Sequence, residues 1–208
     1  MINTTNISFN IDIDEFVNFY LKTVDRNLNF LGTHSRNTSI ISENIAEVLD
    51  IKYLEKKLLK YGAILHDIGK LFVPAEILNA GRRLSSAEFE IVKTHVVFGY
   101  EILEHFESLK DIKSFALNHH HRNGFGYPKH INFGNIEIDP LLIDILTAAD
   151  SFSAIMEPRV YKKPLNESQA LEIIKNPNND KNAGLNSEVL EALTYLVDND
   201  NISLNVFY

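Results

Sequence analysis

Histidine and aspartate side chains recur in this chain at positions where helical periodicity calls for apolar ones, and that pattern restricts its fold more than any other feature. His34 precedes Ile41 by seven residues and so falls on the stripe formed by Ile41, Ile45 and Val48. His95 shares a face with Ile91, Phe98, Gly99 and Ile102, and Asp150 with Ile143, Leu146 and Ala154. Each group therefore points at a core in which an unpaired charge or imidazole is costly. With His66, Asp67 and two of the run His119 to His121, seven inward nitrogen and oxygen donors converge. One or two could be satisfied by hydrogen bonds. Seven together are satisfied far more easily by divalent cations, and the number points to a binuclear centre. The chain has no cysteine, so disulfides and thiolate ligation are excluded and the ligands are imidazole and carboxylate.

At 208 residues, with 45% hydrophobic and 23% charged residues, the chain is long enough for one globular domain with a short extension. Its formal net charge of −8 argues against a DNA-binding basic face. The polar stretch Met1 to Asn10 lacks the pattern of a signal peptide. The greasiest run, Leu141 to Ala149, is interrupted by Asp144 and is too short to span a bilayer. A cytoplasmic protein without a membrane segment is expected.

Helical patterns dominate. The periodicity predicts a first helix over Ile13 to Phe30, with Phe16, Phe19, Tyr20 and Val24 on one side. A second is expected to begin near Ser35, after Gly32, and a third to run from Lys52 to His66 through Leu54, Leu58, Tyr61 and Leu65. Pro74 suits the start of a short helix over Ala75 to Asn79. The capping-box pattern Ser85-x-x-Glu88 opens a long helix expected to reach Glu107. Asp111 to His121 reads as helical, Asn123 to Pro128 as a loop, and Asp139-Pro140 as the start of a helix ending near Ile155. Asn166-x-x-Gln169 opens another helix, Asn176 to Gly184 reads as a loop, and Ser187 to Val197 closes the set. A boundary near Asn29 divides an N-terminal helical extension, residues 1–30, from the main domain, residues 31–208.

The densest local signal is Leu65-His66-Asp67-Ile68-Gly69-Lys70. Adjacent His and Asp at a helix end can give one cation a nitrogen and an oxygen, Gly69 permits a tight turn, and Lys70 offers a compact positive charge to a phosphate. A single buried His-Asp pair is more often a structural hydrogen bond. Here the other inward donors turn the balance towards a metal. His105, ten residues after His95, and His130, after a loop, are expected at the surface. The pairs Arg82-Arg83 and Lys129-His130 read as solvated charges.

In order and spacing, these residues resemble the HD-GYP domain, a branch of the HD metal-dependent phosphohydrolase superfamily, from His34 to Val197. The resemblance rests on His34-Ser35-Arg36, the His66-Asp67 segment and Val73-Pro74-Ala75-Glu76-Ile77-Leu78. It continues through Gly81-Arg82-Arg83-Leu84-Ser85, Glu88, His95 to Gly99 and the His119 run. Gly124-Phe125-Gly126-Tyr127-Pro128, Ala149-Asp150-Ser151-Phe152 and Arg159-Val160-Tyr161 complete it. It implies an all-α fold, an HD-type helical bundle with a binuclear metal site in its core. It also implies hydrolysis of cyclic di-GMP to pGpG and GMP, with two iron or manganese ions. By position, His34, His66, Asp67, His95, His119, His120 and Asp150 would be ligands. Lys70 would contact the scissile phosphate, and Arg159 and Lys163 would lie near the substrate. The Gly126-Tyr127-Pro128 loop would govern substrate access and contacts with GGDEF-domain proteins.

The chain departs from the family pattern at three places. His119-His120-His121-Arg122-Asn123 is one residue short, which leaves open which two imidazoles ligate. Phe30 stands where members with three metals carry a glutamate, which favours two ions, and Ser153 stands where a second aspartate is expected. The chemistry expected is in-line attack on phosphorus by a hydroxide held between two cations, with Lys70 neutralising phosphate charge and Asp67 able to orient the nucleophile. Two other readings stand beside it. One is an HD hydrolase of another cyclic dinucleotide or nucleotide. The other is a weakly active metal-binding module that works on GGDEF partners. Family members usually carry a sensory or receiver domain, and the first helix is placed to dock on the domain or to form a homodimer contact.

Overall fold

Asp12 begins the first helix by accepting a hydrogen bond from the Glu15 amide, and α1 (Ile13–Asn27) follows. The computed structural model describes residues 12–122, 125–128, 138–157, 165–176 and 185–202. Beyond α1 lie α2 (Asn29–Val48), α3 (Tyr53–Leu65), a 3-10 segment over Ile68–Phe72, α4 (Ala75–Leu78), α5 (Ser86–Lys93) and α6 (His95–Glu104). A second 3-10 segment, Glu107–Ile112, runs into α7 (Lys113–Asn118). The chain continues through α8 (Pro140–Met156), α9 (Glu167–Lys175) and α10 (Ser187–Asp198). The only strands among the described residues are β1 (His121–Arg122) and β2 (Phe125–Gly126), an antiparallel pair of two residues each. The all-α expectation therefore holds.

Local chemistry sets several of the boundaries. Ser85 and Glu88 form a reciprocal capping box, as do Asn166 and Gln169, and Asp139 caps α8 with Pro140 in its first turn. Three expectations are corrected. The first helix ends at Asn27 and α2 begins at Asn29, passing through Gly32 without a break. At Gly32 a Cβ would meet Asp25 Oδ1 at 2.1 Å, so this glycine lets α1 and α2 approach rather than ending a helix. The long helix expected from Ser85 is divided at Thr94 into α5 and α6. The start of the segment expected to be helical from Asp111 is 3-10.

α2 is the central element, packed against α3 and α8, with α1 and α10 also laid on it. Tyr20, Leu31, Ile41, Ile45, Leu59, Leu65, Phe115 and Phe152 are fully buried, each contributing about 1.5–3 kcal/mol by removing apolar surface from water. The faces expected to be buried are displaced at their edges. On α1 the buried residues are Val17, Tyr20 and Val24, while Phe19 is 67% exposed; on α3, Leu54 is 71% exposed while Leu59 is buried.

The first 3-10 segment lies hard against α6. A Cβ at Gly69 would stand 1.9 Å from the His95 carbonyl oxygen and 2.6 Å from the Gly99 amide nitrogen. Only glycine allows that approach, and it brings the residues on either side of this seam, Asp67 and His95, within reach of each other.

Candidate metal centre

Five parts of the fold deliver donors to one place. α2 supplies His34, and the end of α3 supplies His66 and Asp67. The start of α6 gives His95, the turn after α7 gives His119 and His120, and α8 gives Asp150. They fall into two sets, Asp67, His95, His119 and His120 on one side and His34, His66 and Asp150 on the other. Within each set, one donor atom per residue lies within 4.8 Å of the others. All are buried except His120, which is partly exposed. Every ligand position expected from the sequence is thus brought together, and among the described side chains of the histidine run His119 and His120 join.

The rings are held with one nitrogen turned inward. His66 Nδ1 lies 2.7 Å from the Ala63 carbonyl oxygen and His95 Nδ1 2.6 Å from that of Val92. His119 Nδ1 is 3.1 and 3.0 Å from the carbonyl oxygens of Phe115 and Ala116. A carbonyl only accepts, so each Nδ1 carries a proton and each ring turns its Nε2 towards the other donors. Burial, the largest influence on His119, moves its pKa down to about 4 and so keeps it neutral. Burial likewise holds His120 well below the ordinary histidine range.

Those Nε2 atoms face oxygens and one another. Asp67 Oδ1 is 3.2 Å from His95 Nε2 and 3.7 Å from His119 Nε2, and the latter two are 3.3 Å apart. His66 Nε2 is 3.3 Å from Asp67 Oδ2. His66 Nε2 and Asp67 Oδ1 are buried without a properly directed hydrogen bond. Buried polar atoms left without partners are costly, and a divalent cation among them would turn that cost into coordination. The donor set fits divalent metal on its own chemistry.

Both carboxylates are ionised. Burial works against this at Asp67, but the Lys70 ammonium and His66 outweigh it and hold its carboxyl well below the usual range. At Asp150 burial is likewise outweighed, by His34 foremost. His34 is oriented differently from the other rings. Its Nδ1 lies 2.5 Å from Glu157 Oε1 and its Nε2 3.0 Å from Asp150 Oδ1. Burial would lower its pKa, yet Glu157 and Asp150 raise it to about 10. A cation held at Nε2 would displace the proton there, and the Glu157 carboxylate behind Nδ1 would fix the ring and strengthen it as a donor.

Glu157 was not anticipated from the sequence, nor were the hydrogen bonds made by Ser153 and Thr147. Ser153 Oγ donates to Glu157 over 3.3 Å, and Thr147 Oγ1 donates to the His119 carbonyl over 3.1 Å. Glu157 follows Asp150 by two helical turns, and that spacing was the available signal. Lys70 Nζ lies 2.5 Å from Asp67 Oδ2 with its side chain 20% exposed, at the rim of the centre. The Tyr127 ring stands 4.6 Å from the His120 ring, and Gly126, with φ of 84°, turns the chain beside it in a conformation that favours glycine. Arg159 and Lys163 lie outside the described residues, as does His130, while His105 is exposed as expected.

The HD domain family matches residues 21–182. A 3'3'-cGAMP-specific phosphodiesterase of Vibrio cholerae is 32% identical over 155 residues, 74% of this chain and 33% of that protein. A cyclic di-GMP phosphodiesterase of Thermotoga maritima is 36% identical over 140 residues, 65% of this chain and 37% of that protein. The chain therefore spans about a third of the length of these relatives. Among solved structures, the HD domain of the L. monocytogenes phosphodiesterase PgpH, in complex with cyclic-di-AMP, superposes with a TM-score of 0.58 at 20% identity. That match covers 91% of this chain and 99% of that one. This chain belongs to the HD domain family.

Proposed function

We propose that this HD-domain chain is a metal-dependent phosphodiesterase that hydrolyses cyclic di-GMP to pGpG and onward to GMP. The observation that carries the reading is the pair of adjoining donor sets with the Lys70 ammonium at their rim. His34, His66 and Asp150 would hold one divalent ion, and Asp67, His95, His119 and His120 a second. Iron and manganese, the ions the family resemblance implies, are compatible with a site built of imidazole and carboxylate without thiolate. Bound ions would supply Lewis-acid neutralisation of phosphate charge and acidification of water to near-neutral pKa.

The chain's own residues do the rest. Lys70 binds a non-bridging phosphate oxygen, and Asp67, already paired with it, limits where that ammonium can go. Burial of His66, Asp67, His95 and His119 keeps bulk water from screening these charges. Loss of a positioned donor of this kind costs roughly 10²–10³ in turnover. Gly126 and Tyr127 border the entrance beside His120, and Arg159 and Lys163 belong to the substrate contacts.

The reading includes a cytoplasmic setting and a GGDEF-domain partner at the Gly126-Tyr127-Pro128 turn, supported by the exposure of Gly126. It also includes a homodimer contact through α1, supported by the exposure of Phe19 there. No described helix is long and apolar enough to cross a membrane.

Protein purified without oxygen and reconstituted with Fe(II) or Mn(II) should convert cyclic di-GMP to linear product, and His66→Ala should abolish the conversion. Absence of turnover with every metal tried would sink the reading. A second substrate, 3'3'-cGAMP, is favoured by the relatives of that printed specificity, and the ratio of kcat/KM for the two substrates decides between them.

A further inference from the structure

Beside the second donor set stands a group of side chains of which the chemistry above uses only Tyr127. The Phe89 ring, 45% exposed on α5, meets the Tyr127 ring edge to face at a centroid distance of 6.4 Å. Lys93, one turn after Phe89, places Nζ 5.1 Å from the Phe89 centroid and 5.7 Å from that of Tyr127. Tyr127 in turn lies 4.6 Å from the His120 ring and 6.1 Å from that of His95. The result is a continuous wall from the metal centre outward, two histidines, then an aromatic pair with an ammonium held over it.

Such a wall suits a flat, electron-rich ring carrying hydrogen-bond acceptors on its edge. An exposed aromatic face stacks on any nucleobase. An ammonium is donor only, with three protons. One of these is taken by Glu90, whose Oε1 is 2.6 Å from Lys93 Nζ. The others are available to an acceptor edge. Guanine offers two adjacent acceptors, O6 and N7, whereas adenine places a donor amino group where guanine has O6. Such a wall would favour guanine over adenine. A phosphate alone would need the cation and not the rings.

We propose that Phe89, Lys93 and Tyr127 form a nucleobase subsite beside the metal centre, in which the base stacks on Phe89 and Lys93 reads the O6/N7 edge of guanine. The inference rests on the reading of this chain as a cyclic-dinucleotide phosphodiesterase and names the residues that set its preference.

The test compares kcat/KM for cyclic di-GMP and cyclic di-AMP in the wild type, Lys93→Met, Lys93→Arg and Phe89→Leu. Lys93→Met should lower kcat/KM for cyclic di-GMP about tenfold, the scale of one lost base-edge contact, and change that for cyclic di-AMP less than twofold. Lys93→Arg should restore the guanine preference. Phe89→Leu should raise KM for both substrates about tenfold, the scale of one lost stacking contact. Equal losses on both substrates in Lys93→Met would make Lys93 a phosphate or structural contact and overturn the proposal. If the wild type turns over neither compound, the proposed function fails. The subsite is then read from equilibrium binding of the same two dinucleotides to Mn(II)-loaded protein. There, a guanine preference lost in Lys93→Met supports it, and equal affinities in wild type and variant refute it.

Discussion

Gly69→Ala is the substitution in which fold and metal centre are tested together. The added methyl would stand 1.9 Å from the His95 carbonyl oxygen, 2.6 Å from the Gly99 amide nitrogen and 2.8 Å from the His95 carbonyl carbon. All three are backbone atoms, so no rotamer change relieves the contact. Reaching even 3.0 Å requires the Ile68–Phe72 segment and α6 to part by about 1.1 Å. Overpacking of this kind costs about 1–3 kcal/mol or more, which in a domain of this size lowers Tm by roughly 2–4 °C per kcal/mol. The second consequence is at the metal. Asp67 and His95 sit on opposite sides of that seam with Oδ1 and Nε2 3.2 Å apart. Ligand distances tolerate only about 0.2 Å, so the set containing both should lose its ion. The assay is a melting curve in chelator, together with metal counted per protein after reconstitution and gel filtration. The expected result is a Tm lower by several degrees and loss of about one equivalent of metal. A variant that melts with the wild type and holds the same metal would refute the reasoning.

Gly32→Ala should behave in the opposite way, because its Cβ meets only the far ends of the Asp25 and Arg36 side chains. Removing a mid-helix glycine gains about 1 kcal/mol, which offsets the disturbed Asp25–Arg36 pair, so Tm should stay within a few degrees of the wild type. Glu157→Ala should weaken metal binding about 10–100-fold by freeing the His34 ring, measured by competition with a chromophoric chelator; unchanged affinity would remove Glu157 from the site. Tyr61 gives a pH signature. Burial first, and then its 2.8 Å hydrogen bond to Asp14, raise its pKa to about 12. The folded state thus keeps a proton that the unfolded chain releases near pH 10. Its stabilisation is complete below about pH 10 and lost as pH rises towards about 12. Wild type should therefore lose stability relative to Tyr61→Phe across that interval, and parallel melting-temperature profiles would contradict the assignment.

What the sequence could reveal depended on whether the governing interaction was local. Ser85 with Glu88, Asn166 with Gln169, and Asp139 with Pro140 act within one turn, and the helices they open begin where those residues indicate. The donors on apolar faces were legible for the same reason, since periodicity alone places His34, His95 and Asp150 inward. Gly32 was misread because its role is contact with another helix, while its local propensity suggests a break. Thr94 is no strong breaker, and at the division between α5 and α6 its hydroxyl donates to the Ile91 carbonyl oxygen. Glu157 escaped because its partner His34 is 123 residues away in the chain.

The positions of those donors have a consequence for the chain as a polymer. A cation shared by His34, His66 and Asp150 would tie α2 to α8 across more than half of the sequence. A chain without cysteine would thereby acquire a cross-link, closing a loop of over a hundred residues. In the loop-closure picture such a tie removes several kcal/mol of freedom from the unfolded ensemble, with only a slow dependence on loop length. Unlike a disulfide, this tie can be released by a chelator or by acid, and it needs no oxidant to form.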